Sequence, residues 1–257
     1  MLRGMYSSIS AMLNLQASQE VIGNNIANIN TTGYKSEKVI SKTFDDMMLS
    51  NKDRYINGKG VKQNLGTLNP GVRIDEISTD YSQGLIVETN NDTDFSIEGK
   101  GFFTIRDENG NTKYSRDGCF RIDSKGYLVN SSGYQIIGIN QNNNNIEPIR
   151  VGKSKITMDK NNNILLDSKV KYKFNIVDFK DYKTLKKVGQ NLVDGESPNT
   201  ITNYKIKNGC KERSNVDIIE ASSALMCNLR AFEANQRVVQ IMDSTLSKMA
   251  NEIGTVR

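Results

Sequence analysis

The chain has 257 residues, enough for one large domain or two modest ones, with 37% apolar and 7% aromatic residues and no tryptophan. Lys and Arg exceed Asp and Glu by only 34 − 29 = 5, and the surplus is scattered, which argues against nucleic acid, a ligand that selects cations clustered on one face. Cys119, Cys210 and Cys227 show no C-x-x-C spacing, which argues against a disulfide framework or a zinc knuckle, and no run approaches the ~18 apolar residues of a membrane span.

Near the N-terminus, Met5, Ile9, Met12, Leu15, Ile22, Ile26 and Ile29 recur at helical spacing and mark one stripe of an amphipathic helix. Residues 5 to 30 would span roughly 39 Å at ~1.5 Å per residue. Between Gly4 and Tyr34 the only charged side chain is Glu20; the rest of the polar face is Ser, Gln and Asn. Such a face suits burial against other helices better than a membrane surface, which selects Lys and Arg. Gly33 supplies a stop, because glycine readily takes the left-handed conformation past a helix end. Ser, Asn and Gln interrupt every apolar run after Arg3, so no cleaved secretory signal is expected.

Asn24, Asn25, Asn28 and Asn30 crowd the end of this helix in "NNIANINTTGYK", although asparagine is a poor helix former. Asn amides both donate and accept, and they cost less to bury among neighbouring helices than charges do. Asn24, Asn25, Asn28 and Tyr34 are therefore candidate contacts between copies of the chain, with a local capping network inside one copy as the alternative.

Residues 46 to 75, rich in Gly, Asn and Lys, read as an extended connector. All three prolines lie between the two terminal helical regions, and the middle, 76 to 209, reads as strands. "GFFTIRDENGNTKYS" is a hairpin around Asn109-Gly110. "FRIDSKGYLVNSSGYQIIGI" gives three short strands punctuated by Gly126 and Gly133. "KVKYKFNIVDF" puts Val170, Tyr172, Phe174 and Ile176 on one face by strict alternation. The asparagine runs at 141 to 145 and 161 to 163 are polar loop tips.

The C-terminal segment from 210 carries a second helix. Leu225, Leu229, Phe232, Gln236, Val239, Asp243, Leu246, Ala250 and Ile253 alternate by four and three, a heptad-like seam thickened by Met242 and Met249. Ser214 and Asp217 read as a capping box at its start, and Glu233 with Arg237 as an i,i+4 ion pair. Leu225, Leu229, Phe232, Val239 and Leu246 are the candidate interface residues of this helix. Residues 1 to 45 and 210 to 257 thus form a discontinuous helical, coiled-coil-like domain around an all-β middle domain, an α+β chain.

Catalytic and cofactor motifs fail. With no histidine, His-based triads and HExxH zinc sites are absent. "VGKS" at 151 to 154 has Glu147 where a phosphate loop needs glycine, and the "GKG" stretches at 58 and 99 lack the third glycine of a dinucleotide fingerprint. Asp107, Asn109 and Asn111 resemble a calcium loop, but Thr112 stands where glycine is required. No cofactor, metal or catalytic residue is expected.

"NNIANINTTGYK" after "MLRGMYSSISAMLNLQ", "DFSIEGKGFFTI", "YSRDGCFRIDSKGYLVNSSGYQIIG" and "SNVDIIEASSALMCNLRAFEANQRVVQIMDSTLSKMANEIG" together resemble the bacterial flagellar rod and hook protein family. The resemblance covers roughly residues 1 to 140 and 205 to 257. It implies a non-enzymatic axial subunit, exported by the flagellar type III apparatus and placed in the basal body outside the cytoplasmic membrane. Its partners would be copies of itself and other rod and hook subunits. The resemblance also implies that the terminal helices line an inner tube and the β-domain an outer layer. Length and layout resemble a distal rod subunit, with a proximal rod or hook-type relative, or a monomeric helical-hairpin binding module, as alternatives.

Overall fold

Twenty-six residues, Leu2–Ala27, form helix α1, and Ile218–Lys248 form the 31-residue helix α2. The computed structural model describes residues 2–56, 59–107, 109–152, 154–159, 161–167, 169–189, 191–200 and 204–253. Gly58 and Lys153, named above in failed motifs, lie outside them. An N-terminal helix, a mostly β middle and a C-terminal helix make the chain α+β. It divides into two units. One holds both helices and Glu37–Ser78; the other holds Ala27–Ser36 and Thr79–Asp217.

Two helix boundaries differ from the sequence expectation. α1 stops at Ala27 and residues 28 to 30 are a turn, so the asparagines follow or close the helix instead of filling it. Gly33 does take a left-handed φ of 67°, but six residues beyond the last helical one. α2 starts at Ile218, so Ser214 is not its cap; the Ser214 hydroxyl accepts from the Val216 N–H in the approach to the helix.

In the helical unit, β1 (Glu37–Thr43), β2 (Met47–Ile56), β3 (Lys59–Leu68) and β4 (Val72–Thr79) form two-stranded ladders, β1 with β4 and β2 with β3. The stretch expected as a connector therefore runs out and back upon itself. Asn69 anchors the return: its side-chain nitrogen donates to the Phe44 carbonyl and its oxygen accepts from the Gly71 N–H. Bulges after Leu49 and Asn51 interrupt the β2–β3 register, consistent with a stretch whose Gly, Asn and Lys give no clean alternation.

The second unit is antiparallel. After β5 (Ile86–Glu88), β6 (Phe95–Glu98), β7 (Phe102–Arg106) and β8 (Thr112–Ser115), the main sheet runs, among the described residues, in the order 156–158, 163–166, 169–174, 135–140, β7, β8, 192–194 and 186–189. β7 lies at its centre and is covered on both faces, which is why "FFTI" is a continuous apolar run. Phe103 meets Phe120 and Phe174 edge-on at 5.2 and 5.4 Å, while Phe102 turns to Phe179 and Tyr81 on the other side. Tyr172, Phe174 and Ile176 are buried as the alternation requires, whereas Val170 is 43% exposed. A bulge at Ile164/Leu165 on the paired strand shifts the register at that end. Asn162, on an expected loop tip, reaches across the fold: its amide donates to the Tyr204 carbonyl and accepts from the Ile206 N–H.

Buried and half-buried thiols and phenols contribute to how this unit responds to alkali. Burial, then the hydrogen bond to Asp94, pushes the Cys119 thiol up to about 11; burial alone pushes the Tyr204 phenol up to about 12. Tyr182 moves in the same direction through burial and its bond to Asp178. In the unfolded chain these groups ionise from their ordinary values of 9.0 and 10.0, so above about pH 9 the folded state holds more protons than the unfolded one. Through these groups stability falls as pH rises from about 9 to 12, while Lys35, whose value burial lowers, acts in the opposite sense and more weakly than the three together. Denaturant midpoints followed by tyrosine circular dichroism should drop across that window, and Tyr204→Phe should flatten its upper part. A midpoint constant from pH 8 to 12 would contradict this account.

Candidate functional site

The two helices pair antiparallel. Asn228 donates to the Ser18 hydroxyl at 2.7 Å, and a side chain at Gly4 would meet the Met242 methyl at 3.0 Å. Fourteen residues along α1 (18 − 4) correspond to fourteen back along α2 (242 − 228), which fixes direction and register together. Among the half-buried positions of α2, Leu225, Asn228, Phe232, Asn235, Val239, Met242 and Leu246 alternate by three and four, and Ala221, Ala224, Ala231 and Thr245 widen the same stripe. Leu225, Phe232, Val239 and Leu246 of the predicted seam belong to this stripe. Leu229 does not; it is 45% exposed, and Asn228, bonded to Ser18, occupies the adjoining position.

What α1 leaves uncovered is unusual. No described residue of α2 is buried, and Ile219, Met226 and Ile241 are 75%, 62% and 64% exposed. At about 100° per residue these three fall within an arc of roughly 60°. α1 adds Tyr6 at 68% and Leu13 at 61%. α1 also holds the strands of its own unit: Asn14 exchanges hydrogen bonds with the Ser41 hydroxyl, and the Val72 N–H donates to Ser10. So α1 is engaged by α2 and by strands, while α2 keeps an open apolar face.

The asparagine stretch resolves residue by residue. Asn25 is buried and pairs with Glu37 as a strand would, donating to its carbonyl at 2.7 Å and accepting from its N–H at 3.0 Å. The Asn28 side chain accepts the Thr31 hydroxyl and its carbonyl accepts the Thr31 N–H. Asn24 is exposed. Tyr34 is buried in the β-unit, with the Lys187 ammonium 4.7 Å above its ring.

Tyr34 belongs to a strap, residues 31 to 36, that is built into the β-unit. Its carbonyls at Thr32, Lys35 and Ser36 accept from Asn191, Lys187 and the Asp80 N–H. Its N–H groups at Gly33 and Ser36 donate to the Glu212 carbonyl and the Asn215 side chain. The Thr32 hydroxyl reaches Asp117 at 2.6 Å. Lys35 is buried, and its ammonium donates to Glu212 at 2.7 Å and to the Ser82 carbonyl at 2.6 Å. The other Glu212 oxygen takes Arg116 Nε at 2.7 Å, and the Arg116 guanidinium continues to the carbonyls of Ile97, Gly99 and Gly101. Burial holds Lys35 below the ordinary lysine value, against the pull of Glu212. Sequence reasoning missed Lys35, Arg116 and Glu212 altogether. Nothing in the residues around them marks these charges as buried, and their partners lie 96 and 177 positions away.

Among the described residues no helix is long and apolar enough to cross a membrane. Three family models match the chain: the flagellar basal body rod protein model over residues 5–35, the flagellar hook protein FlgE/F/G D1 domain over 96–171, and the flagellar basal body rod FlgEFG protein C-terminal model over 207–252. The flagellar basal-body rod protein FlgG of Bacillus subtilis is 32% identical, with 98% of this chain and 99% of that protein aligned. The flagellar hook-basal body complex protein FlhO of the same organism is 28% identical over the full length of both. The flagellar hook protein FlgE of Treponema pallidum is 37% identical, but over 54% of this chain and only 30% of that protein. Helices at both ends, the β-unit between them and the full-length alignment agree, and the chain belongs to the flagellar basal-body rod and hook protein family, which is structural and not enzymatic.

Proposed function

We propose that the chain is a structural subunit of the flagellar basal-body rod, polymerising through its terminal helices into the shaft that transmits torque to the hook. The observation that carries this reading is the open face of α2: a 31-residue helix with no buried residue and three large apolar side chains more than 60% exposed. A face of that kind marks an interaction surface. A second copy supplies the same helices as cover, and contacts repeated around a screw axis build a tube. Asn24, Leu229 and the outer stripe of α1 join α2 in that contact, with other rod and hook subunits at the two ends of the stack. The reading includes export by the flagellar type III apparatus and a place in the basal body outside the cytoplasmic membrane. A rod level is favoured over the hook because the alignment spans nearly the whole Bacillus subtilis rod protein but less than a third of the Treponema pallidum hook protein; the distal level within the rod is part of the proposal, with the proximal level as its alternative.

The test is concentration-dependent assembly. Purified chain at rising concentration should move from monomer to polymer in analytical ultracentrifugation, with tubes or short rods visible by electron microscopy. A chain that stays monomeric up to its solubility limit, with or without other axial subunits added, would support the monomeric binding module instead.

A further inference from the structure

The strap from 31 to 36 is anchored largely by residues that come far later in the chain. The Gly33 N–H and the Lys35 ammonium both end on Glu212, and the Ser36 N–H ends on Asn215, separations of 177 residues for Lys35 to Glu212 and 179 for Ser36 to Asn215. Glu212 is itself held in place from several sides. Its Oε1 accepts the Gly84 N–H, its Oε2 accepts Arg116, and its strand, Cys210–Glu212, is paired with β5 through Glu212 opposite Ile86. The side chains of Lys35, Arg116 and Glu212 are 4%, 7% and 1% exposed. Two buried cations thus share one carboxylate. Without that carboxylate, a seated Lys35 would face Arg116 with both side chains almost wholly buried, the arrangement that is strongly unfavourable for buried charge. The aromatic centre of the core makes none of these bonds itself: Phe95, Phe103, Phe120 and Phe174 pack among themselves.

We infer that Glu212 is a completion latch: the strap at 31 to 36 seats on the β-unit only once the segment 210 to 215 has delivered its carboxylate, so the anchoring of the N-terminal segment is conditional on the C-terminal end of the unit. The latch is a property of one chain and stands whether or not copies assemble. It makes the β-unit a body with two levels of stability, a sheet core and a strap above it that opens on its own.

Native-state hydrogen exchange of the full chain tests this, comparing the parent with Glu212→Gln, Lys35→Met and the double variant. Gln keeps the shape of Glu but removes the charge. In Glu212→Gln the Gly33 and Ser36 amides should exchange on the order of a hundredfold faster, while the Phe103 and Thr104 amides of the core keep the parent rate. Lys35→Met leaves Arg116 with its carboxylate and keeps an apolar stem of similar length, so the strap should stay seated. In that background Glu212→Gln should accelerate strap exchange much less, since no strap cation remains to be left unpaired. Three results overturn the latch. They are unchanged strap exchange in Glu212→Gln, acceleration of strap and core together in that variant, and an equal effect of Glu212→Gln with and without Lys35.

Discussion

Met226→Asp combined with Ile241→Asp gives a chain that folds like the parent and does not assemble. Both side chains are more than 60% exposed on α2, so aspartate meets water in the monomer. Surface substitutions of that kind stay within about ±0.5 kcal/mol of the parent. In a polymer that covers this face, each carboxylate would enter an apolar contact without a partner, at a cost of several kcal/mol apiece. The expected result is an unchanged melting curve, sedimentation as monomer at every concentration, and a non-motile strain. Assembly of the double variant at parental concentration would show that copies meet elsewhere. Phe232→Asp differs in kind. Phe232 is half-buried on the stripe that α2 turns to α1, so its aspartate loosens the helix pair before any second copy arrives.

The existence of both helices was legible because an apolar period of three and four survives in residues 5 to 26 and 225 to 246. The phase of the α2 stripe was not fully legible. Asn228 and Asn235 are polar residues at half-buried positions, and Leu229 is an apolar residue at an exposed one, so hydropathy alone moves the stripe by one residue in places. The end of α1 was misread for a related reason. Ile26 and Ile29 continue the period, but Asn25 bonds to Glu37 and the chain turns at Asn28. In the β-unit, alternation identified Tyr172, Phe174 and Ile176, and the Asn109-Gly110 turn identified β7 and β8, because both signals are local. Lys35, Arg116 and Glu212 carry no local signal. A buried charge is recognised only through its partner, and these partners come together only in the finished fold.

Gly118→Ala is the smallest change expected to cost the most. Gly118 lies where residues 94 and 95 run against residues 118 and 119: the Phe95 N–H donates to the Gly118 carbonyl, and Asp94 bridges Cys119. A methyl at Gly118 would fall on the Phe95 carbonyl oxygen, with the carbonyl carbon at 2.8 Å and the Phe103 ring at 3.2 Å. Neither can yield cheaply. The carbonyl is backbone inside a paired segment, and Phe103 is fully buried against Phe120 and Phe174. Accommodation means parting the two segments, which breaks the Phe95 bond and loosens the packing of Phe95 on Phe174 at 4.9 Å. Overpacking of a core costs about 1–3 kcal/mol and a broken buried backbone bond about 1–3 more. Against a typical total of about 5–15 kcal/mol, the sum removes a large part of the stability of the β-unit. The same substitution at Gly23 should act in the opposite sense. Gly23 is an exposed residue of α1 with nothing within 4 Å of an added methyl, and alanine gains about 1 kcal/mol over glycine in a helix interior. Thermal melts followed by near-ultraviolet circular dichroism should show Gly118→Ala lowered by many degrees and Gly23→Ala at or above the parent. A Gly118→Ala variant melting with the parent would mean that the 94–95 and 118–119 segments are free to separate, and that the aromatic core does not depend on their closeness.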